Sequence, residues 1–234
     1  MEETYNIDAI ITRRLPFREH DLQLTVYSAE RGRQVLVARG ARKFQSKIAA
    51  HVEPFNRIQG LVVRGKGFDY LGSAISLSGR AQLKNDIDRL FLVGEAVRLF
   101  NQVVTEAETE VVLFELLDQY LQLNSYETLI APDLLFSVFL GKLLFHLGYA
   151  TELYSCTQCQ KPLTSSDNKI ISSRRGVVCN VCQPVKTSLS ISDTCIKLWR
   201  LVITQEFSYF KNIITEQSVI DELCSTIRAA YHYL

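Results

Sequence analysis

The four cysteines between residues 156 and 182 constrain this chain more than any other feature of its sequence. Cys156 and Cys159 form one C-x-x-C pair, and Cys179 and Cys182 form a second after nineteen intervening residues. Two pairs at this separation are typical of a zinc ribbon, in which two tight turns direct four thiolates at one ion. We predict a hairpin between them, with a turn at 165–168 and strands at 170–171 and 177–178.

Two other interpretations stay open from the sequence alone, a pair of disulfides and unrelated buried thiols. Cys195 and Cys224 lie outside the quartet in apolar periodic segments, so we expect them to pack in a core. A zinc ion held by four cysteines has no position left for water or substrate. We therefore expect one structural Zn²⁺, and a zinc hydrolase is disfavoured.

Composition predicts a globular protein without a membrane segment. Of the 234 residues, 47% are hydrophobic and 22% are charged, which is ordinary for a chain that buries a core. The acidic N-terminus lacks the order of a secretion signal, and the most apolar stretch, 134–149, is too short to span a bilayer. Together with thiols spaced for a metal, these features predict a cytoplasmic location and no membrane partner.

Positive charge is concentrated at the start of the chain. Residues 1–80 contain 13 Lys and Arg against 8 Asp and Glu, whereas the whole chain has a net charge of only +1. This distribution favours an anionic partner for the first domain, although a solvated basic surface without a partner stays open. Predicted turns and strand ends carry the candidate DNA-binding residues, which are Arg13, Arg14, Arg39, Arg42, Lys43, Lys47, Arg64 and Lys66. Phe44 is the candidate for stacking on an unpaired base, whereas Phe55 and Phe68 are expected in the core.

The secondary-structure pattern predicts an α+β chain with two domains. Residues 1–79 should form an OB-fold β-barrel from short strands at 7–12, 22–27, 34–38, 56–63, 68–71 and 74–77, with a short helix at 46–51. Residues 80–234 should form an all-helical domain, with the zinc ribbon inserted at 153–186. Its predicted helices span 83–104, 109–123, 133–147, 192–207 and 216–234, and the third is apolar enough to lie at the centre.

Catalytic motifs are missing from the sequence. It contains no phosphate-binding loop, dinucleotide fingerprint, metalloprotease motif or nucleophile elbow, and its four histidines are scattered. Lys142 and His146 lie four residues apart, and we expect them to form a solvated or hydrogen-bonded edge rather than a ligand site. The sequence therefore predicts a binding protein and not an enzyme.

The whole pattern resembles the RecO family of DNA repair proteins. The matching residues are Gly40-Ala41-Arg42-Lys43 with Ser46, the segment Glu53-Pro54-Phe55, and the four cysteines; Arg175-Gly176 departs from the small pair expected there. The resemblance implies a bacterial, nucleoid-associated recombination mediator that binds single- and double-stranded DNA and anneals complementary strands. It also implies binding to the C-terminal tail of the single-strand DNA-binding protein, and loading of RecA together with RecR. The alternative is a zinc-containing adaptor that binds proteins and no DNA.

Overall fold

The computed structural model describes residues 3–105, 109–126, 130–164, 168–172, 176–179, 181–182 and 189–231. They form two compact units, divided after Tyr126. The first unit contains a barrel and three helices, and this division does not test whether the barrel folds alone. The predicted boundary after residue 79 and the predicted ribbon bounds therefore stay predictions. Among the described helices, none has the length and apolar character needed to cross a membrane.

Five strands close the barrel. They are β1 (Thr4–Phe17), β2 (Asp21–Ser28), β3 (Gly32–Ala38), β4 (Arg57–Val63) and β5 (Asp69–Ser78). Their order around the barrel is β1-β2-β3-β5-β4, which is that of an OB-fold. All neighbours are antiparallel except β3 and β5, which run parallel and are joined by two residue pairs, Leu36 with Asp69 and Val37 with Tyr70. The predicted fold class is confirmed, and the two short strands predicted at 68–71 and 74–77 form the single strand β5.

The barrel core follows the alternation of the strands. Ile7, Ala9 and Ile11 of β1 point inward and are almost completely buried. The register between β1 and β2 then shifts between Ile11 and Arg13, which marks a β-bulge at Thr12. Beyond the bulge the alternation is reversed, so that Arg13 and Leu15 lie on the outer face of the barrel.

The connection from β3 to β4 is a series of turns. The short helix predicted at 46–51 is therefore wrong. Val52 N–H donates to the Ile48 carbonyl, but the amide of Asn56 donates to the carbonyls of Ala50 and His51 at 3.3 and 2.9 Å. These side-chain bonds satisfy the carbonyls that a longer helix would use, so a single turn forms and no more.

Three helices complete the first unit: α1 (Ala81–Lys84), α2 (Ile87–Val103) and α3 (Val111–Ser125). The sequence predicted one helix over 83–104, but the side chain of Asp86 accepts from the backbone N–H of Arg89 at 3.0 Å and starts α2 afresh. The rings of Tyr27 and Phe100 pack edge to face at 5.0 Å and hold α2 against the barrel.

An ion network holds α3 to the barrel. Arg57 of β4 donates to Asp8 of β1 and to Asp118 of α3, at 2.8 Å for the shortest contact to each carboxylate. Arg80, just before α1, also pairs with Asp118. Opposite charges in the network lie on three elements that are distant in sequence, so it fixes their packing.

The second unit is built around α4 (Pro132–His146). The other elements are the strands β6 (Asn168–Ser172), β7 (Gly176–Cys179) and β8 (Leu189–Ser190), then α5 (Asp193–Thr204), a 3₁₀ helix (Phe207–Asn212) and α6 (Gln217–Tyr231). Residues 134–144 of α4 are all buried, which confirms its predicted central position. Gly141 allows the close packing of α5, because a Cβ there would lie 2.6 Å from Cγ1 of Val202.

Lys142 and His146 differ in their surroundings, although both were expected on a solvated or hydrogen-bonded edge. His146 is exposed, but Lys142 is only 8% exposed, and its ammonium lies 6.0 Å from the centre of the Phe207 ring. Burial lowers the pKa of Lys142, and the negative charge of Glu206 opposes this in part. The prediction for Lys142 is therefore wrong, because the central helix has almost no solvated side.

Candidate functional site

The four predicted cysteines of the ribbon lie together. Their sulfur atoms are all within 4.8 Å of one another, and the Sγ atoms of Cys159 and Cys179 are 3.8 Å apart. A disulfide bond is about 2.05 Å long, so these thiols are free. Four sulfurs placed about 2.3 Å from a central zinc ion at tetrahedral corners would be about 3.8 Å apart. The quartet therefore fits a metal ion of that size, while Cys195 and Cys224 are buried elsewhere, as predicted.

The first turn of the quartet directs backbone N–H groups at sulfur. Those of Gln158 and Cys179 donate to Sγ of Cys156, each at 3.4 Å. Burial alone would raise the pKa of Cys156, but N–H donors from Cys159, Cys179 and Gln158 outweigh it and lower this pKa to about 6. In contrast, a hydrogen bond to Cys159 raises the pKa of Cys182, with smaller contributions from burial and the neighbouring thiols, to about 12. The N–H donors to Cys156 therefore favour its thiolate form, which is the form that binds a metal.

Backbone hydrogen bonds join the two turns of the ribbon. Thr157 N–H donates to the Val177 carbonyl at 3.0 Å, and Val177 N–H donates to that of Glu152 at 2.9 Å. A Cβ at Gly176 would lie 2.3 Å from Cγ2 of Thr157, so only glycine fits there. Gly176 therefore fits the small pair that the family resemblance implies here, and the departure is at Arg175, which lies outside the described residues. The predicted strands fall in β6 and β7. Most of the turn predicted at 165–168 lies outside the described residues.

The ribbon is attached to the helices of its own unit by Arg200 of α5. Its Nε donates to the Leu153 carbonyl at 3.1 Å, and its guanidinium lies 4.5 Å from the centre of the Tyr154 ring. An ion that fixes the two cysteine turns would therefore also fix the segment that contacts α5.

Three turns meet at one end of the barrel. They are 18–20 between β1 and β2, 39–43 after β3, and 64–68 between β4 and β5, and we refer to them as the basic end. The rings of Phe17 and Phe68 lie 5.4 Å apart, and the guanidinium of Arg39 lies 3.6 Å from the centre of the Tyr70 ring. Nη1 of Arg42 donates to the Glu19 carbonyl at 3.1 Å. These contacts bring turns from three separate hairpin and loop segments into one surface.

Five of the eight predicted DNA-binding residues lie in the basic end and all are exposed: Arg39, Arg42, Lys43, Arg64 and Lys66. Arg64 also pairs with Glu3 at 3.1 Å. The other three lie elsewhere in the first unit. Arg13 is exposed on the outer face of β1, Lys47 is exposed in the β3–β4 connection, and Arg14 is half-buried in an ion pair with Glu53. The assignment of all eight to DNA stays a prediction.

The aromatic residues near the basic end differ from one another in exposure. Phe44 is fully exposed, as a stacking residue requires. Phe68 is 39% exposed and packs on Phe17 outside the barrel, so its predicted core position is wrong. Phe55 is half-buried with a positive φ of 69°, in the turn before β4, and is not part of the barrel core, so its predicted core position is also wrong.

Three arginines that lie at the basic end or line a cavity in the first unit were not among the predicted site residues. Arg18 belongs to the basic end and lies 5.0 Å from the centre of the Phe17 ring. Arg33 of β3 and Arg98 of α2 line a cavity together with the predicted Arg13. Phe17 directly precedes Arg18, and an aromatic residue beside an arginine is a sequence signal that could have marked Arg18 as a site residue. Nothing local to Arg98 indicates that α2 lies over the barrel.

Family models match the chain in two parts that together cover nearly all of it. The model described as Recombination protein O N terminal matches residues 1–80, and Recombination protein O C terminal matches residues 84–234. The chain belongs to the RecO family. It is 27% identical over 230 residues to the DNA repair protein RecO of Desulforamulus reducens, which covers 98% of this chain and 89% of that protein. Its identity to the DNA repair protein RecO of Roseiflexus sp. (strain RS-1) is 29% over 235 residues, or 100% and 82% of the two chains.

Membership of the RecO family assigns the chain to DNA repair and recombination. It also confirms the resemblance that was identified from the Gly-Ala-Arg-Lys run and the position of the cysteines.

Proposed function

We propose that this RecO-family chain is a recombination mediator that binds single- and double-stranded DNA at the basic end of its barrel and anneals complementary strands. The convergence of three turns carries this proposal, because it gathers Arg39, Arg42, Lys43, Arg64 and Lys66 on one surface. Cations there neutralise phosphates of either strand state, and lower the repulsion between two strands that approach each other. Annealing makes and breaks no covalent bond, so the proposal requires no catalytic residue.

Zn²⁺ is the proposed occupant of the cysteine quartet, held by Cys156, Cys159, Cys179 and Cys182. Thiolate ligands and sulfur separations close to those of a tetrahedral site support this choice. The ion would supply no reaction, and its contribution would be to the folding of the ribbon. We expect one zinc per chain by metal analysis of protein purified without chelator, and less than half an equivalent would contradict the assignment.

The proposed partners follow the family resemblance. They are the C-terminal tail of the single-strand DNA-binding protein, RecR, and RecA through RecR, in the bacterial cytoplasm at the nucleoid. The test is annealing of two complementary oligonucleotides coated with the single-strand DNA-binding protein. We expect this chain to accelerate annealing of the coated strands, and RecR to be needed for the subsequent loading of RecA.

The DNA surface is tested by the triple variant Arg39→Ala, Arg42→Ala, Lys43→Ala. Each lost phosphate contact should reduce the slope of log affinity against log salt by about 0.9 for duplex DNA, so the triple variant should lose up to about 2.7. The charge-matched control is Lys161→Ala, Lys197→Ala, Lys211→Ala, which removes three exposed lysines from the second unit.

Two outcomes would contradict the proposal. If the triple variant and the control bind with the same affinity and slope, the basic end is not the DNA surface. If the unmodified chain binds no labelled oligonucleotide even at low salt, the alternative of a protein-binding adaptor is favoured.

A further inference from the structure

A cavity of about 700 Å³ lies in the first unit between α2 and the outer face of β1, β2 and β3. Arg13, Arg33 and Arg98 line it, and no aspartate or glutamate is among the described residues that do so. Its volume is within the range of about 300–1,000 Å³ that is usual for small-molecule sites. Its charge therefore favours an anionic ligand of that size.

The bulge in β1 builds one wall of the cavity. Because alternation reverses at Thr12, Arg13 and Leu15 face outward on the same side as their cross-strand partners. Arg13 is paired with Thr25, and Thr25 is paired with Val35, so one row across three strands presents a cation, a hydroxyl and an apolar surface. Without the bulge, Arg13 would point into the barrel core.

Helix α2 forms the opposite wall and is held in place by polar contacts. Oγ1 of Thr12 lies 2.9 Å from Oδ1 of Asn101, and Nη1 of Arg33 donates to the Asn101 carbonyl at 2.6 Å. One to two turns earlier on the helix, Arg98 and Gly94 face the cavity. A Cβ added at Gly94 would meet nothing within 4 Å, so there is open space beside this residue and the packing of α2 does not require glycine here.

We infer that this cavity holds one unpaired nucleotide of a single DNA strand. The inference rests on the proposed function and adds a site that distinguishes single strands from duplexes. Arginine side chains bind phosphate oxygens in a bidentate manner, and Leu15 and Val35 offer an apolar surface to a base. The amides of Gln23 and Gln102 can both donate to and accept from its polar edge.

Base pairing decides which DNA can use the cavity. A base within a duplex is stacked and paired, and it reaches a recess between a helix and a sheet only after extrusion, at a free-energy cost. An unpaired strand bears no such cost. The basic end should thus bind backbone in either state, whereas the cavity should add affinity for single strands alone.

The test fills the cavity by Gly94→Leu, and uses Gly94→Ala as a smaller step in the same direction. We expect Gly94→Leu to weaken binding of a labelled thymidine oligonucleotide at least about fivefold, which is the lower end of what one base contact contributes. Binding to a duplex of the same length should be unchanged, because its paired bases do not enter the cavity. Gly94→Ala fills less of the cavity than Gly94→Leu and should weaken single-strand binding less.

A second variant keeps the test independent of the filled cavity. Arg13→Gln with Arg98→Gln should reduce the salt slope for the single strand by about 0.7 for each lost phosphate contact. Arg89→Gln removes an arginine from the same helix at a position that does not line the cavity, and should leave both DNA affinities unchanged.

Several results would overturn the inference. Equal binding of the oligonucleotide by Gly94→Leu and by the unmodified chain, with equal melting temperatures, would do so and leave the basic end intact as the DNA surface. Parallel loss of single-strand and duplex binding would mean that α2 had moved. Displacement of a labelled aspartate-rich peptide, rather than of the oligonucleotide, on filling the cavity would assign it to a protein segment. Failure of the unmodified chain to bind any DNA would overturn the proposed function as well.

Discussion

The ion network at Asp118 predicts a large and selective effect on stability. Asp118 accepts from Arg57 at 2.8 Å and is paired with Arg80, whose side chain is only 3% exposed. Burial lowers the pKa of Arg80, and the charge of Asp118 opposes this. Asp8 shares Arg57 with Asp118, but its side chain is 36% exposed. Asp118 thus neutralises a buried guanidinium, whereas Asp8 pairs with a partly exposed one.

Asp118→Ala would leave the buried guanidinium of Arg80 without its carboxylate. Breaking a buried pair in this way costs about 3–5 kcal/mol of unfolding free energy. Asp8→Ala removes a largely solvated partner, and Arg57 would keep Asp118, so we expect a cost of about 0–1 kcal/mol. The difference of roughly 2–5 kcal/mol between the two variants is the quantity that the network predicts.

Urea unfolding followed by two signals measures this difference. Far-ultraviolet circular dichroism reports both units, whereas fluorescence of Trp199, the single tryptophan, reports the second. Asp118→Ala should lower the midpoint of the circular dichroism transition more than that of the fluorescence transition. Arg80→Met combined with Asp118→Leu should recover most of the loss, because no buried charge remains. Equal effects of Asp118→Ala and Asp8→Ala would refute this reasoning.

Further predictions concern the second unit and the loop after β3. Gly141→Ala places a methyl group 2.6 Å from Val202 Cγ1 and should lower the free energy of unfolding in urea by about 1–3 kcal/mol. Gly94→Ala, with open space, should raise it by up to about 1 kcal/mol. A change of the same sign in both variants would contradict the packing argument. The pKa of Lys142 is lowered in the folded state, so the unfolded state binds more protons between that pKa and the ordinary value of 10.5. Stability should therefore rise with pH in this window. Lys142→Met should abolish the rise, and persistence of the rise would exclude Lys142 as its cause. If the quartet holds the proposed zinc, Cys156→Ser should lower the zinc content and the midpoint of the Trp199 fluorescence transition, while Cys195→Ser should leave the zinc content unchanged. Phe44→Ala should weaken single-strand binding by about 1–3 kcal/mol with little effect on duplex binding, which fluorescence anisotropy with matched oligonucleotides would measure.

Local patterns in the sequence predicted those parts of the molecule whose causes are local. The cysteine spacing placed the metal quartet, because two C-x-x-C turns need only a hairpin to meet. Alternation placed the strands, and the apolar run at 134–144 placed the central helix. In each case the deciding interactions lie within a few residues of one another along the chain, or follow directly from burial.

The errors arise where a distant or single side chain decides the structure. Asp86 caps a new helix and interrupts a continuous apolar pattern. Asn56 satisfies carbonyls that a predicted helix would have used. The bulge at Thr12 reverses the alternation of β1, so the outward position of Arg13 could not be read from the pattern of the strand. The pair of Arg80 with Asp118, on elements apart in sequence, has no local signature at all.

The parallel joint between β3 and β5 has a consequence for the basic end beside it. Only two residue pairs close the barrel there, whereas β1 and β2 share a long antiparallel ladder. Local opening should begin at this seam, and the amide hydrogens that bond across it from β3 to β5 should exchange before those of the β1–β2 ladder. Arg39 and Tyr70 flank the seam, so the turns that carry the cations can adapt to a bound strand while the rest of the barrel stays closed.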